Sequence, residues 1–209
     1  MKKLAILVIT ASAFADDLAT AKLLKAVEAR YNRIQSLRVT FEQHYAAPGA
    51  MRRVESGQLS LKKPGRMRWD YTAPAGKWFL MDGKNLYYYT PAANRVEQMS
   101  AKESDDLRTP LAFLLGKLNF GRDFQHFEAH QEADVTVLTA NPKSDRSPYR
   151  EVTFHVDGNA QIRRMIVKGR DDDSVMDFRF GVETVNIQMP DTSFALVMPT
   201  GAELVEAGR

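Results

Sequence analysis

The chain has 209 residues, 44% of them hydrophobic and 26% charged, with a formal net charge of +3 and no cysteine. That is enough apolar material for one globular core, and the missing thiols exclude disulfides, thiol catalysis, thiolate metal sites and an acylated cysteine anchor. Without residues 1–15, Lys+Arg falls from 29 to 27 against 26 acids, a net of about +1, which gives a nucleic-acid partner no support.

Residues 1–15, MKKLAILVITASAFA, join a basic start to an apolar run and Ala13-Phe14-Ala15 ahead of Asp16. This is the pattern of a secretory signal peptide. The apolar run is about half the ~20 residues that a bilayer span needs. Cleavage near Ala15 would leave residues 16–209 as a single exported domain, expected to be soluble and monomeric, in which a sufficient core replaces disulfides.

Asp16 and Asp17 are placed to cap a helix running to about Leu37. Ala21, Leu24, Val27, Tyr31 and Ile34 recur at spacings of three and four, with Lys22, Lys25, Glu28 and Arg30 on the wet side. Such a stripe fits a helix lying on its own sheet better than one awaiting a partner helix. Val39 to Tyr45 then alternates and begins the sheet. In Gly57 to Tyr71, Leu59, Leu61 and Lys63 share one face, Lys63-Pro64-Gly65-Arg66 turns, and Met67, Trp69 and Tyr71 return on one face. Segments 52–63, 66–72, 77–81 and 85–90 read as consecutive antiparallel strands, with Asp82-Gly83-Lys84 turning between the last two. Their regular spacing predicts a meander that curls toward a barrel.

Between Ser100 and Leu118 the pattern changes. Ser100-Ala101-Lys102-Glu103 has capping-box spacing, and Thr109-Pro110 opens a second short helix. Leu111 to Leu115 is apolar all round before Gly116, so this helix must plug the core or lie over a cavity. Strands are predicted again at Val135–Ala140, Glu151–Val156, Gln161–Lys168 and Val175–Val182, with a hairpin turn at Asp157-Gly158-Asn159. A last edge strand is predicted at Phe194–Met198, and the loop Asn141 to Tyr149 reads as the most flexible insertion.

Catalytic signatures are missing. His126 and His130, four apart, could share a helix face as half of a zinc site, but no third ligand is placed by a motif. Asp171-Asp172-Asp173 reads as a solvated turn. No GxSxG, GxxxxGK[ST] or GxGxxG occurs. The expectation is a protein that is not an enzyme, with no metal and no cofactor. The positive signal is apolar: Leu59, Leu61, Met67, Trp69, Tyr71, Trp78, Leu80, Tyr87, Tyr89, Phe113, Leu114, Phe154 and Phe178. Singly each reads as core; as a set they suit an irregular greasy ligand.

Ser36-Leu37, Phe41-x-Gln43, Gly57-x-Leu59-x-Leu61-Lys62-Lys63-Pro64-Gly65-x-x-Arg68-Trp69-x-Tyr71 and Asp82-Gly83-x-x-Leu86-x-x-Tyr89 follow one another in order. Thr109-Pro110 with Leu114-Leu115-Gly116, Asn186 to Pro190 and Phe194 to Gly201 complete the series. In these marks the chain resembles the outer-membrane lipoprotein carrier proteins, the LolA family, across essentially all of residues 16–209. The resemblance implies an α+β fold: a strongly curved, incomplete antiparallel β-barrel with helices as a plug or lid over a hydrophobic cavity on its concave face. It implies a periplasmic carrier that takes acylated lipoproteins from an inner-membrane ATP-driven release complex and passes them to an outer-membrane acceptor. Family members often carry Arg before the hairpin proline, where it helps hold the lid closed; here Lys63 stands there and takes the role of lid contact by position. Shielding fits the physics, since a sixteen-carbon chain exposed to water costs about 12 kcal/mol. Two other readings use the same features: a periplasmic sensor of lipid or lipoprotein acting through a protein partner, and an exported lipid hydrolase.

Overall fold

The computed structural model describes residues 11–100 and 118–206. A first helix, α1 (Ala11–Arg33), is followed by β1 (Ser36–Ala46), β2 (Arg53–Lys62), β3 (Arg66–Ala73), β4 (Trp78–Asp82), β5 (Asn85–Thr90) and β6 (Arg95–Ser100). A one-turn helix, α2 (Phe120–Asp123), leads into β7 (Phe124–Glu132), β8 (Val135–Pro142), β9 (Tyr149–Asp157), β10 (Ile162–Gly169) and β11 (Val175–Phe180). Two short strands, β12 (Thr184–Val185) and β13 (Glu203–Glu206), complete the set.

All of these strands lie in one sheet, ordered β13-β6-β5-β4-β3-β2-β1-β11-β10-β9-β8-β7, with β12 beside β1. Every pairing is antiparallel except β13 on β6. The sheet is open, with β13 and β7 at its ends, and it curves so that distant strands share one core. Trp69 on β3 meets Phe178 on β11 at 5.6 Å between ring centroids, and Phe41 on β1 sits 4.6 Å from Trp69. Gly57 marks where β2 bends: the β2–β3 register shifts between Ser56 and Gly57, and a Cβ there would lie 2.1 Å from the carbonyl oxygen of Asp70. Only glycine permits that approach.

The α1 stripe is buried at Val27, Tyr31 and Ile34, half-buried at Leu24 and exposed at Ala21. The helix departs from expectation at both ends. It starts upstream of Asp16 and Asp17, since Ala11 to Ala15 continue its turns, and it stops at Arg33 rather than near Leu37. Leu37 and Val39 instead alternate into the core from β1. The loop after β11 explains the stop: Gln35 N donates to Asn186 Oδ1 at 2.8 Å, Ser36 Oγ to the Ile187 carbonyl at 2.6 Å, and Asn186 N to the Ser36 carbonyl at 2.7 Å. Backbone groups committed to these partners cannot continue a helix.

Three further elements depart from the sequence reading. β6 and β7 escape notice because their outward positions are polar and their alternation is faint. Residues Phe194–Met198 form no strand. A short 3-10 helix spans Asp191–Phe194, and the final strand is β13, parallel to β6. Phe194 is buried as an anchor while Val197 is 73% exposed, so side-chain insertion rather than a ladder fixes this segment. The apolar plug at Leu111–Leu115 and the capping box after Ser100 lie outside the described residues.

Candidate functional site

Alternation splits the apolar residues between two faces of the sheet. The concave face carries Leu37, Val39, Phe41, Leu59, Leu61, Met67, Trp69, Met81, Leu86, Phe154, Met165 and Phe178 in one buried cluster with Val27 and Tyr31 of α1. At one end this cluster is filled. Phe120 of α2 sits 5.5 Å from Phe154 and 6.0 Å from Phe124, and only about 10 Å³ is left between Tyr31, Leu37, Val39, Leu59 and Phe180.

The other end is open. The C-terminal ends of β1, β3, β5 and β10 and the N-terminal ends of β2, β4, β9 and β11 form one rim of the sheet, as the registers require. Inside that rim lies a cavity of about 600 Å³ walled by Trp69, Tyr71, Phe79, Tyr88, Val167, Met176 and Phe178. Gln43, Tyr45, Lys77, Pro148, Tyr149, Asp171, Asp172 and Ser174 stand around it. Its size falls in the range of small-ligand sites, and its wall is mostly aromatic and aliphatic. Burial, with the nearby Glu55 and Tyr88, pushes the Tyr71 phenol well above its usual range, so it stays protonated.

Of the residues expected to line a cavity, Trp69, Tyr71 and Phe178 do so. Leu59, Leu61, Met67 and Phe154 are buried in the filled part of the same face. Trp78, Leu80, Tyr87 and Tyr89 are on the opposite face: Trp78 pairs with Asp70 and Tyr89, and Leu80 with Arg68 and Tyr87, all pointing outward. They form a second cluster with Val96, beneath Met189 and Phe194 of the C-terminal segment. Phe113 and Leu114 lie outside the described residues. The sequence could not assign the faces of β4 and β5, because Trp78-Phe79-Leu80-Met81 and Leu86-Tyr87-Tyr88-Tyr89 are apolar in both phases. Counting back from Trp69 through its partner Phe79 finds the inward set, Phe79, Met81, Leu86 and Tyr88. Gln43 is marked only as part of the Phe41-x-Gln43 likeness, and Lys77 and Met176 carry no signal; their place at the rim appears only when the strands assemble.

His126 and His130 share no helix face; both are exposed on β7, where the register shifts between Gln125 and Glu128 and His126 has φ 53°. Asp171-Asp172-Asp173 is a turn, as expected, with Asp172 accepting from Ser174 N at 3.0 Å.

A sequence model for the outer membrane lipoprotein carrier protein LolA matches residues 32–197. The chain belongs to this family. It is 30% identical to the outer-membrane lipoprotein carrier protein of Cronobacter sakazakii over 173 residues, 82% of each chain. With that of Chromobacterium violaceum it is 26% identical over 200 residues, 94% of this chain and 95% of the relative. A solved structure of a conserved protein from Thermus thermophilus covers 90% of this chain and 99% of its own at a TM-score of 0.56 and 9% identity, a likeness of fold.

In this LolA-family chain the helix is fastened at its C-terminal turns. Lys63 Nζ donates to the Tyr31 carbonyl at 2.7 Å, satisfying one of the orphan acceptors at the end of α1; burial lowers the pKa of this ammonium. Tyr31 Oη donates to Glu183 Oε1 at 2.6 Å and accepts from Ile162 N at 3.0 Å, while Arg30 reaches Glu183 Oε2 at 2.6 Å. Burial and the Glu183 carboxylate push the Tyr31 phenol far up. Asn32 clamps Leu118, its side-chain oxygen accepting from Leu118 N at 2.7 Å and its amide donating to the Leu118 carbonyl at 2.9 Å. Phe120 N donates to Glu28 Oε1 at 2.7 Å. Among the described residues no helix is long and apolar enough to cross a membrane.

Proposed function

We propose that this chain is a periplasmic carrier that shelters the acyl chains of lipoproteins in the Trp69–Phe178 cavity and moves them from the inner to the outer membrane. In this reading an inner-membrane ATP-driven complex loads it and an outer-membrane acceptor unloads it. The observation that carries the proposal is the open aromatic cavity of about 600 Å³ on the concave face of a sheet whose family members are named lipoprotein carriers. Covering a sixteen-carbon chain offsets about 12 kcal/mol of exposure to water, so shielding alone does the work and neither cofactor nor covalent step enters. Export follows from the basic start and apolar run of residues 1–15, with cleavage near Ala15 leaving a chain that begins at Asp16.

The fastening of α1 by Lys63, Glu183 and Leu118 bears on the lid. Lys63 holds the last turns of α1 down, so we place any opening that admits a larger cargo outside those turns. Depletion of the protein, followed by fractionation of the two membranes, should strand lipoproteins at the inner membrane. Mass spectrometry of the protein isolated from the periplasm should find acylated lipoprotein. Normal sorting after depletion, with no acylated client recovered, would sink the carrier reading. Intact sorting with a lost stress response would favour the sensor instead.

A further inference from the structure

The turns along the open rim differ in composition from those elsewhere on the sheet. Three hairpin tips follow one another there: Ala47-Pro48-Gly49-Ala50-Met51 after β1, Pro74-Ala75-Gly76 after β3 and Pro91-Ala92-Ala93-Asn94 after β5. None carries a charge. At the opposite end of the same strands the turns are charged, Lys63-Pro64-Gly65 between β2 and β3 and Gly83-Lys84 beside Asp82 between β4 and β5. Turn geometry calls for the Pro and Gly but not for the alanines, since Asn, Asp or Ser would serve and stay wetter. Residues 48–51, 74–76, 92 and 93 are exposed, and Met51 is 88% exposed. The tips are neighbours. A Cβ on Gly76 would lie 3.5 Å from Pro91 Cγ, and Lys77 Nζ reaches back to Glu55 of β2 at 2.6 Å.

Charge along the rim is equally uneven. Arg52 and Arg53 follow Met51 directly and are exposed, with the Arg53 guanidinium 4.9 Å from the Tyr45 ring centroid. Among the described residues neither is paired with a carboxylate. The other cations of these three hairpins are neutralised, Lys77 by Glu55 and Arg95 by Glu97. Across the mouth, the chain from β8 to β9 and the β10–β11 turn bring Lys143, Arg146, Arg150 and Arg170 against Asp145, Asp171, Asp172 and Asp173. Lys168 pairs with Glu151 beside them. That side is balanced, so the excess positive charge sits next to the uncharged tips.

A tip without charged groups enters the head-group layer of a bilayer with no ion to desolvate. An exposed Met adds apolar area that gains by leaving water, and arginines directly behind it match the phosphates of an anionic leaflet. We infer that the β1–β6 side of the rim is a docking surface for an anionic phospholipid membrane. Met51 enters the interface, and Arg52 and Arg53 lie on the lipid phosphates. The contact is weak and reversible, since one Met and two Arg fall short of a lipid anchor. Its off-centre position turns the Asp171-Asp172-Asp173 side away from the anionic surface and leaves the cavity mouth beside the lipid. The inference goes beyond the carrier reading and does not depend on it.

The test floats the full mature chain with vesicles of phosphatidylcholine, alone or mixed with phosphatidylglycerol. Binding should need the anionic lipid and fade at high salt. Met51→Asp and Arg52→Glu/Arg53→Glu should each weaken it about tenfold. Lys22→Glu/Lys25→Glu, at exposed positions of α1, changes the net charge as much as the arginine pair does and should leave binding within about twofold. Unchanged uptake of Nile red, a neutral apolar dye suited to the cavity, shows that the variants are folded. Because the chain has no cysteine, acrylodan on Met51→Cys gives a second readout. Its emission should shift to the blue on anionic vesicles, while the same label on Lys25→Cys does not move. No flotation, equal flotation with neutral vesicles, equal loss in the α1 variant, or an unshifted label on Met51→Cys each overturns the inference. Self-association that Met51→Asp abolishes, without vesicle binding, assigns the rim to a second copy and overturns it too. Acylated client recovered from a chain that binds no vesicle refutes the docking surface and leaves the carrier reading in place.

Discussion

The two ends of the concave face are built from the same residue types and end in different states. Under α1 and α2 the aromatic and aliphatic groups meet helix side chains and leave about 10 Å³; toward the Tyr45–Lys77 rim the same sheet leaves about 600 Å³. What differs is the cover. Tyr31, Val27 and Phe120 descend onto one end, and among the described residues nothing comparable descends onto the other. Among the described residues, the cavity lies where α1 and α2 give no cover, not where large side chains are short.

The largest effect expected is at the filled end. Phe154→Ala removes a fully buried ring packed against Phe120 and Phe124 and should cost about 3–5 kcal/mol in chemical denaturation. A small loss would mean that this end collapses easily and resembles the open one. Next comes the bend between the ends. Gly57→Ala drives a methyl to 2.1 Å from the Asp70 carbonyl oxygen and should cost about 1–3 kcal/mol, with weakened acyl binding as the curvature relaxes.

Tyr31→Phe leaves the Ile162 N–H and one oxygen of Glu183 without their partner and should cost about 1–2 kcal/mol. Dye binding at the open end should survive, because the cavity wall does not include Tyr31; simultaneous loss of binding would show that the two ends are coupled. At the open end Tyr88→Ser should reverse the pattern, weakening Nile red binding about fivefold while shifting stability by less than about 1 kcal/mol.

The smallest effect belongs to neither end. Asp177, paired with Arg164 at 2.7 and 2.8 Å, loses some of its ionised character to burial, but the Arg164 bonds outweigh this and hold its carboxyl below the usual range. A depressed folded pKa gives stability present above the unfolded value and lost as pH falls through the folded one. Asp177→Asn should therefore flatten the acid limb of a pH–stability curve, with the two proteins converging in strong acid. Divergence there would mean that the pair does not titrate as its geometry requires.

Much of this is legible from residues alone. Alternation assigns Leu59, Leu61, Met67 and Trp69 to one inward face, and the Pro64-Gly65 turn fixes their pairing, because a short hairpin leaves one register in which both faces match. The curled meander is legible in the regular spacing of successive strands, and the resemblance to the family in the ordered motifs from Ser36 to Gly201; the sheet order and the family match bear them out. The α1 stripe is readable because its period differs from that of a strand.

Only the folded chain settles three matters. Trp78, Leu80, Tyr87 and Tyr89 go to the outer face because β4 takes its phase from Trp69 across the β3–β4 ladder, and a segment apolar in both phases carries no phase of its own. That face is dry because Phe194 and Met189 return to cover it, a contact more than ninety residues away in sequence from Val96. The rim cavity joins Gln43, Lys77 and Met176 from three distant stretches of chain. Local pattern measures whether a side chain prefers to leave water; which neighbour receives it is decided by long-range pairing, and so by the tertiary structure.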